Sequence, residues 1–286
     1  QRTDYQYDFR GQLSAVTQYG QVDSFGNGAG TSFTKQFIYD YNGNLLQEIS
    51  ARSVETGASE NYRKTYQYDG LGRLVQATDN NGISTSYLFD DANQRIITKY
   101  ANGLWQTEVY DNNGQIISVQ KGVTGNQSAF GATTYIRNAH GQIIAEQNEL
   151  GARKYNFYDA ANRLAATVDE TGQVIRLHYN SAELASIQIS YENLVNTQAW
   201  LNTDGEMTFS LSQLDAAIVA SPENDRRIEF SYNKAGQLRF MLDAEGYVTE
   251  NRYSSSGLLT GRLIYDDIVT NLADFASTDN SSKPYR

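Results

Sequence analysis

Apolar and polar positions alternate with a period of two over short runs, and each run is closed by a polar turn. Aromatic residues take alternate places at Tyr5/Tyr7, Phe37/Tyr39, Tyr66/Tyr68, Tyr87/Phe89 and Phe230/Tyr232. That spacing puts side chains on one face of a strand. Glu108, Asn156 and Asn251 interrupt it at the outer position. After the inner aromatic comes Asp or Asn, then Gly three positions on, then an aliphatic two past the Gly. The pattern recurs at Tyr7-Asp8…Gly11…Leu13, Tyr39-Asp40…Gly43…Leu45, Tyr68-Asp69…Gly72…Leu74, Tyr110-Asp111…Gly114…Ile116 and Tyr232-Asn233…Gly236…Leu238.

Weaker copies fill the gaps. Phe89-Asp90…Asn93 and Tyr158-Asp159…Asn162 carry Asn in the Gly place, and Asn tolerates left-handed backbone better than other non-Gly residues. Arg137-Asn138…Gly141 lacks the aromatic, and Tyr179-Asn180 and Tyr253-Ser254…Gly257 complete the series. Copies at 68, 89 and 110, at 137, 158 and 179, and at 232 and 253 stand 21 residues apart. Longer intervals imply loop insertions into a 21-residue unit. A second turn signal follows about ten residues after the first, as in Gly72 and Gly82 or Asn162 and Gly172. Each unit is therefore a pair of strands with two turns.

The turn chemistry is specific. Asp at the first corner position accepts from its own backbone two residues on, and Gly at the fourth supplies the positive φ of a type I turn with a bulge. A lone hairpin is marginal, so neighbouring units must bury their rows together. The sequence predicts an all-β fold, a continuous curved antiparallel sheet of hairpins. Repeats occupy 1–180 and 228–265, and an insertion occupies 181–227. A short helix is expected in it around 212–220, headed by Ser212 and ending before Pro222. Segment 266–286 is expected to be partly helical over 266–275 and then a linker from Ser277.

Composition supports this reading: 21 Tyr, 11 Phe and 23 Gly stand against 2 Pro and 2 Met, a balance that favours strands and turns. The net charge of −10 repels phosphate backbones, and no basic stripe offsets it, so nucleic acid is set aside. No apolar run is long enough to span a membrane as a helix. The start, Gln1-Arg2-Thr3-Asp4, has neither Met nor a signal-peptide profile and reads as a piece of something longer. Cysteine is absent, which removes disulfides and thiolate metal sites.

Candidate chemistry is sparse, and no enzyme is expected. His140 and His178 lie in different repeats with no carboxylate pattern beside them. The Asp79–Gly82 and Asp111–Gly114 turns lack the acidic alternation and closing Glu of a Ca²⁺ loop. Gly26–Gly30 has no Lys-Ser/Thr after it and reads as a flexible loop. No cofactor or metal is expected. Tyrosine rows suit sheet packing, through cross-strand pairs of roughly 0.2–1 kcal/mol each. Trp105 and Trp200 lie outside those rows and are the candidates for stacking on a sugar.

These repeats resemble the RHS/YD-repeat family, whose bacterial members include Rhs toxins and Tc-toxin B and C components, with teneurins as animal relatives. The resemblance covers roughly Tyr5 to Tyr265. It implies a hollow shell wall from a large exported bacterial protein that encloses a toxic polypeptide. The Asp-Pro-x-Gly-Leu type core segment of the family's toxins is missing, and the only prolines are Pro222 and Pro284. The partners implied are neighbouring repeats and an enclosed polypeptide. An adhesin presenting the same sheet to surface glycans is the alternative.

Overall fold

The computed structural model describes residues 2–51, 54, 62–202, 205–277 and 284–285. The chain divides into two compact units, Gln1–Thr133 and Thr134–Arg286. The first contains strands β1 (Arg2–Tyr7), β2 (Leu13–Val22), β3 (Gly28–Tyr39), β4 (Leu45–Ile49), β5 (Arg63–Tyr68), β6 (Leu74–Thr78), β7 (Ser84–Asp90), β8 (Arg95–Lys99), β9 (Leu104–Tyr110) and β10 (Ile116–Val123). Each pairs antiparallel with the next.

The second is built the same way from β11 (Ala132–Arg137), β12 (Ile143–Gln147), β13 (Arg153–Tyr158), β14 (Leu164–Val168), β15 (Val174–Tyr179), β16 (Ala185–Ser190), β17 (Arg226–Tyr232), β18 (Leu238–Leu242), β19 (Val248–Tyr253) and β20 (Leu259–Ile264). The fold is all-β and antiparallel.

One corner geometry recurs. At Asp8, the Oδ1 oxygen accepts from the Arg10 and Gln12 backbone N–H groups at 2.9 Å, and the Gly11 N–H donates to the Asp8 carbonyl at 3.0 Å. Gly11 takes φ +79. The same set appears at Asp40, Asp69, Asp111 and Asp159, and with Asn at Asn138, Asn180 and Asn233. Beyond each of these corners the register slips by one residue. Tyr7 pairs with Leu13 and Gln6 with Ala15, leaving Ser14 as a bulge. Leu46, Val75, Ile117, Ile144, Ala165, Ser186 and Arg239 occupy that place in the later hairpins.

The hairpin of β7 and β8 differs. Asn93 is not the left-handed residue there; it ends a 3₁₀ turn over Asp91–Asn93, and Gln94 takes φ 50. The corner is one residue longer, so Ile96 pairs with Phe89 and no bulge is needed. Elsewhere Asn162 (φ 60) and Glu183 (φ 62) occupy the Gly place. A left-handed non-Gly residue costs about 1–2 kcal/mol. Glu183→Gly is therefore expected to stabilise the chain by about 1 kcal/mol, the entropy of the unfolded glycine offsetting part of the relief. A urea midpoint checks it.

Four boundaries differ from the sequence reading. Gly26–Gly30 is no flexible loop: Asp23 turns the chain, and Gly28–Gly30 already belong to β3, so longer strands account for this interval. Strands β16 and β17 pair directly, Ile187 with Glu229 and Ser190 with Arg226, which confines the insertion to 191–225. Its helix, α1, spans Leu211–Ala217 and is capped by Ser210, not Ser212. Ser210 and Gln213 form a reciprocal capping box, the S-x-x-Q signature.

In the tail, helix α2 spans only Leu272–Ser277. Residues 266–271 are not helical. The linker expected from Ser277 lies mostly outside the described residues, though Tyr285 bridges to Tyr265.

The core of the second unit has two clusters. In one, Trp200, Val195 and Leu214 of the insertion pack on Ala145, Tyr155, Phe157, Ala166, Val168 and Val174. In the other, Leu272 and Phe275 pack with Tyr265 on Phe240, Leu242 and Val248. The sheet positions beneath them correspond in part, Ala166, Val168 and Val174 matching Phe240, Leu242 and Val248. Residues 153–196 align without a gap on 227–270, so that Tyr158, Gly172, Val174, Tyr191 and Val195 match Tyr232, Gly246, Val248, Tyr265 and Val269. In both copies the chain leaves the last strand as a strap. The Tyr191 N–H donates to the Val174 carbonyl and the Val195 N–H to the Gly172 carbonyl, each at 2.9 Å. The Tyr265 N–H to Val248 (2.9 Å) and Val269 N–H to Gly246 (2.8 Å) repeat the arrangement.

Candidate functional site

The feature these repeats share is a joint that fastens one hairpin to the next. Each motif aromatic pairs with the aliphatic of its own hairpin, as Tyr39 with Leu45, Tyr68 with Leu74, Tyr158 with Leu164 and Tyr232 with Leu238. In six copies the tyrosine hydroxyl then reaches backwards. Tyr39 donates to the Leu13 carbonyl at 3.0 Å, Tyr68 to Leu45 at 3.0 Å, Tyr158 to Ile143 at 3.1 Å, Tyr179 to Leu164 at 2.6 Å, Tyr232 to Ala185 at 2.8 Å and Tyr253 to Leu238 at 2.9 Å. Every acceptor is the residue at the anchor position of the preceding hairpin.

Two of the residues that interrupt the aromatic alternation serve the same joint, and the third does not. Asn156 and Asn251 donate side-chain N–H groups to the carbonyls used by Tyr158 and Tyr253, at 3.0 and 3.1 Å. Glu108 accepts from the Tyr110 hydroxyl at 2.5 Å, and burial, then this carboxylate, pushes the Tyr110 pKa up to about 12. The hydroxyl role leaves no trace in a hydrophobic pattern, since Phe and Tyr score alike. A net hydrogen bond is worth about 1 kcal/mol. Tyr179→Phe should accordingly lower stability by about 1 kcal/mol with the strand content unchanged, as read by urea titration followed by circular dichroism.

A charged relay runs beside the joint in two repeats. Arg73 Nε donates to Asp69 at 2.8 Å and the guanidinium lies 4.2 Å from the Phe89 ring of the next hairpin. Arg163 bonds Asp159 at 2.9 Å and stacks 4.3 Å from Tyr179. Four of the corner carboxylates are held below the usual 3.8: Asp69 by the Arg73 backbone N–H first, Asp159 by the Arg163 side chain first, Asp40 by Asn44 and Asp8 by the Gln12 N–H. A group with a lowered folded pKa contributes stability that is present above its unfolded value and lost as pH falls through the folded one. The urea midpoint is expected to stay flat from about pH 7 to 5 and to fall once the pH drops below about 4.

The tryptophans part company. Trp200 is 3% exposed, stacked on Phe209 at 4.4 Å and in T-shaped contact with Tyr155 and Phe157. Its faces are occupied by the core, so it is no sugar platform. Trp105 is half-buried on β9, with Lys99 Nζ 4.2 Å from its ring and its Nε1 donating to Thr124 at 3.3 Å. His140 is exposed on a corner and His178 is exposed on β15. Among the described residues no cluster of three or more His, Asp or Glu is placed to hold a metal. No described helix is long and apolar enough to cross a membrane.

A family model described as Teneurin YD-shell matches residues 26–192. No curated protein matches the chain at a significant level. Among solved structures, the chain is similar to the Tc holotoxin pore of Photorhabdus luminescens, with 18% identity and a TM-score of 0.58 over 92% of this chain and 14% of that one. It is also similar to the TcdB2-TccC3 complex, at 17% identity and a TM-score of 0.51 over 94% of this chain and 12% of that one. The form without the hypervariable C-terminal region gives 17% and 0.50 over 92% and 12%. The likeness is one of fold, and the chain spans 14% or less of those proteins' own chains.

Proposed function

Because the chain belongs to the Teneurin YD-shell family, we propose that it is a non-catalytic wall segment of a shell that encloses or presents a polypeptide within a large exported bacterial protein. The repeated joint carries this reading. A tyrosine hydroxyl fixed on the preceding hairpin's backbone lets a sheet grow by addition of equivalent units, and growth of this kind builds walls. The likeness in fold to Tc toxin structures supports a wall of this kind in a toxin-type protein. The partners are neighbouring repeats on the same chain and the enclosed segment.

Electron microscopy of the full-length protein that carries this chain tests the proposal. A hollow body with separate density inside is the expected image. A wall with both faces open to solvent and nothing enclosed would overturn it, and would favour the same sheet acting as an adhesin for surface glycans.

A further inference from the structure

Between the corners Asn233–Gly236 and Ser254–Gly257 lies a cleft of about 850 Å³. Lys234, Arg239, Ser231, Ser255, Tyr232 and Tyr253 line it, and no described Asp or Glu does. In a chain with 33 acidic and 23 basic residues that is a local inversion of charge. The internal duplication supplies the comparison. In the earlier copy the matching corners hold Asp159, which is paired with Arg163 at 2.7 Å, and Glu183. Here Asn233 and Gly257 stand in their places. Lys234 and Arg239 replace Ala160 and Ala165, while Ser231 replaces Phe157 and Ser256 replaces Ala182. The earlier copy thus has two carboxylates against one cation, and the later copy two cations and no carboxylate.

Turn geometry does not require this change. Asn233 Oδ1 accepts from the Ala235 and Gln237 N–H groups at 2.9 and 3.0 Å, as Asp159 Oδ1 does from Ala161 and Arg163. Lys234 is exposed and has no salt bridge among the described residues. Arg239 is the bulge residue of its hairpin, resting 4.7 Å from the Phe240 ring with one nitrogen 3.4 Å from Glu250. The Tyr232 and Tyr253 rings are fixed by their hydroxyl bonds to backbone.

We infer that this cleft binds an acidic saccharide, a sugar bearing a carboxylate or a sulfate. The volume falls in the range of small-molecule sites, roughly 300–1,000 Å³, and far exceeds one oxyanion. Immobilised tyrosine rings suit the apolar faces of a sugar, serine hydroxyls and amides suit its hydroxyl groups, and Lys234 and Arg239 select the acid. The inference does not depend on what the wall encloses.

The whole chain is titrated, with binding followed by calorimetry, against a glucuronate-containing disaccharide, a sulfated disaccharide, glucose and inorganic sulfate. At least one acidic disaccharide should bind, with glucose and free sulfate at least tenfold weaker. Asn233→Asp, which restores the carboxylate of the earlier copy and keeps its turn, should weaken binding at least tenfold without moving the melting temperature. Lys234→Ala should act in the same direction. Binding of glucose or of sulfate as tight as the disaccharide would overturn the assignment, as would no binding at all or an Asn233→Asp protein that binds unchanged.

Discussion

Trp200→Ala is expected to cost the second unit about 3–5 kcal/mol, the range for truncating a large aromatic in a packed core. The ring is 3% exposed and touches three other rings, and it joins the insertion to β13. Without it, Tyr155 and Phe157 lose their cover and a cavity opens that the surrounding strands can only partly fill. Hydrogen exchange is the suitable readout, since a chain of two units has no single unfolding free energy. Protection should fall across 191–225 and across β13 to β15, while β3 to β9 keep theirs. A loss under about 1 kcal/mol would mean that the insertion rests on the sheet without supporting it.

The corners were legible in the sequence because their cause is local. Asp8 and Gly11 dictate their turn through backbone bonds within five residues, and no distant contact has to be known. The joint was not legible, because the partner of each tyrosine hydroxyl is a carbonyl in another hairpin: Tyr179 depends on where Leu164 lies. The bulge is likewise silent, since Ser14, Val75 and Arg239 share its place and no chemistry. Trp200 read as a ligand platform because it falls outside the repeat, whereas its burial follows from the strap that brings it back over Phe157. Gln94 took the left-handed place from Asn93 through a loop one residue longer, a change that composition does not register.

The strap makes the role of two second-turn glycines sharper than turn chemistry alone. Most second-turn glycines need only positive φ. Gly82, with φ +80, has open space where a Cβ would go. At Gly172, φ is +92 and a Cβ would stand 2.2 Å from the Val195 carbonyl oxygen, a backbone atom that cannot swing aside. At Gly246 the nearest atom is the Ile268 methyl at 2.7 Å, the end of a side chain, with the Val269 oxygen at 3.3 Å.

Alanine at the three positions should therefore give a graded series. Gly82→Ala should lose only the left-handed penalty of about 1–2 kcal/mol. Gly172→Ala should lose that and a further 1–3 kcal/mol or so from displaced backbone, along with the Val195 bond that seats the strap. Gly246→Ala should fall between them, because Ile268 can change rotamer. Urea midpoints rank the three, and Trp200 fluorescence shifted to the red in Gly172→Ala alone would show that the first strap has lifted from its sheet. Equal losses at Gly82 and Gly172 would assign the whole effect to φ and leave the strap without a seat.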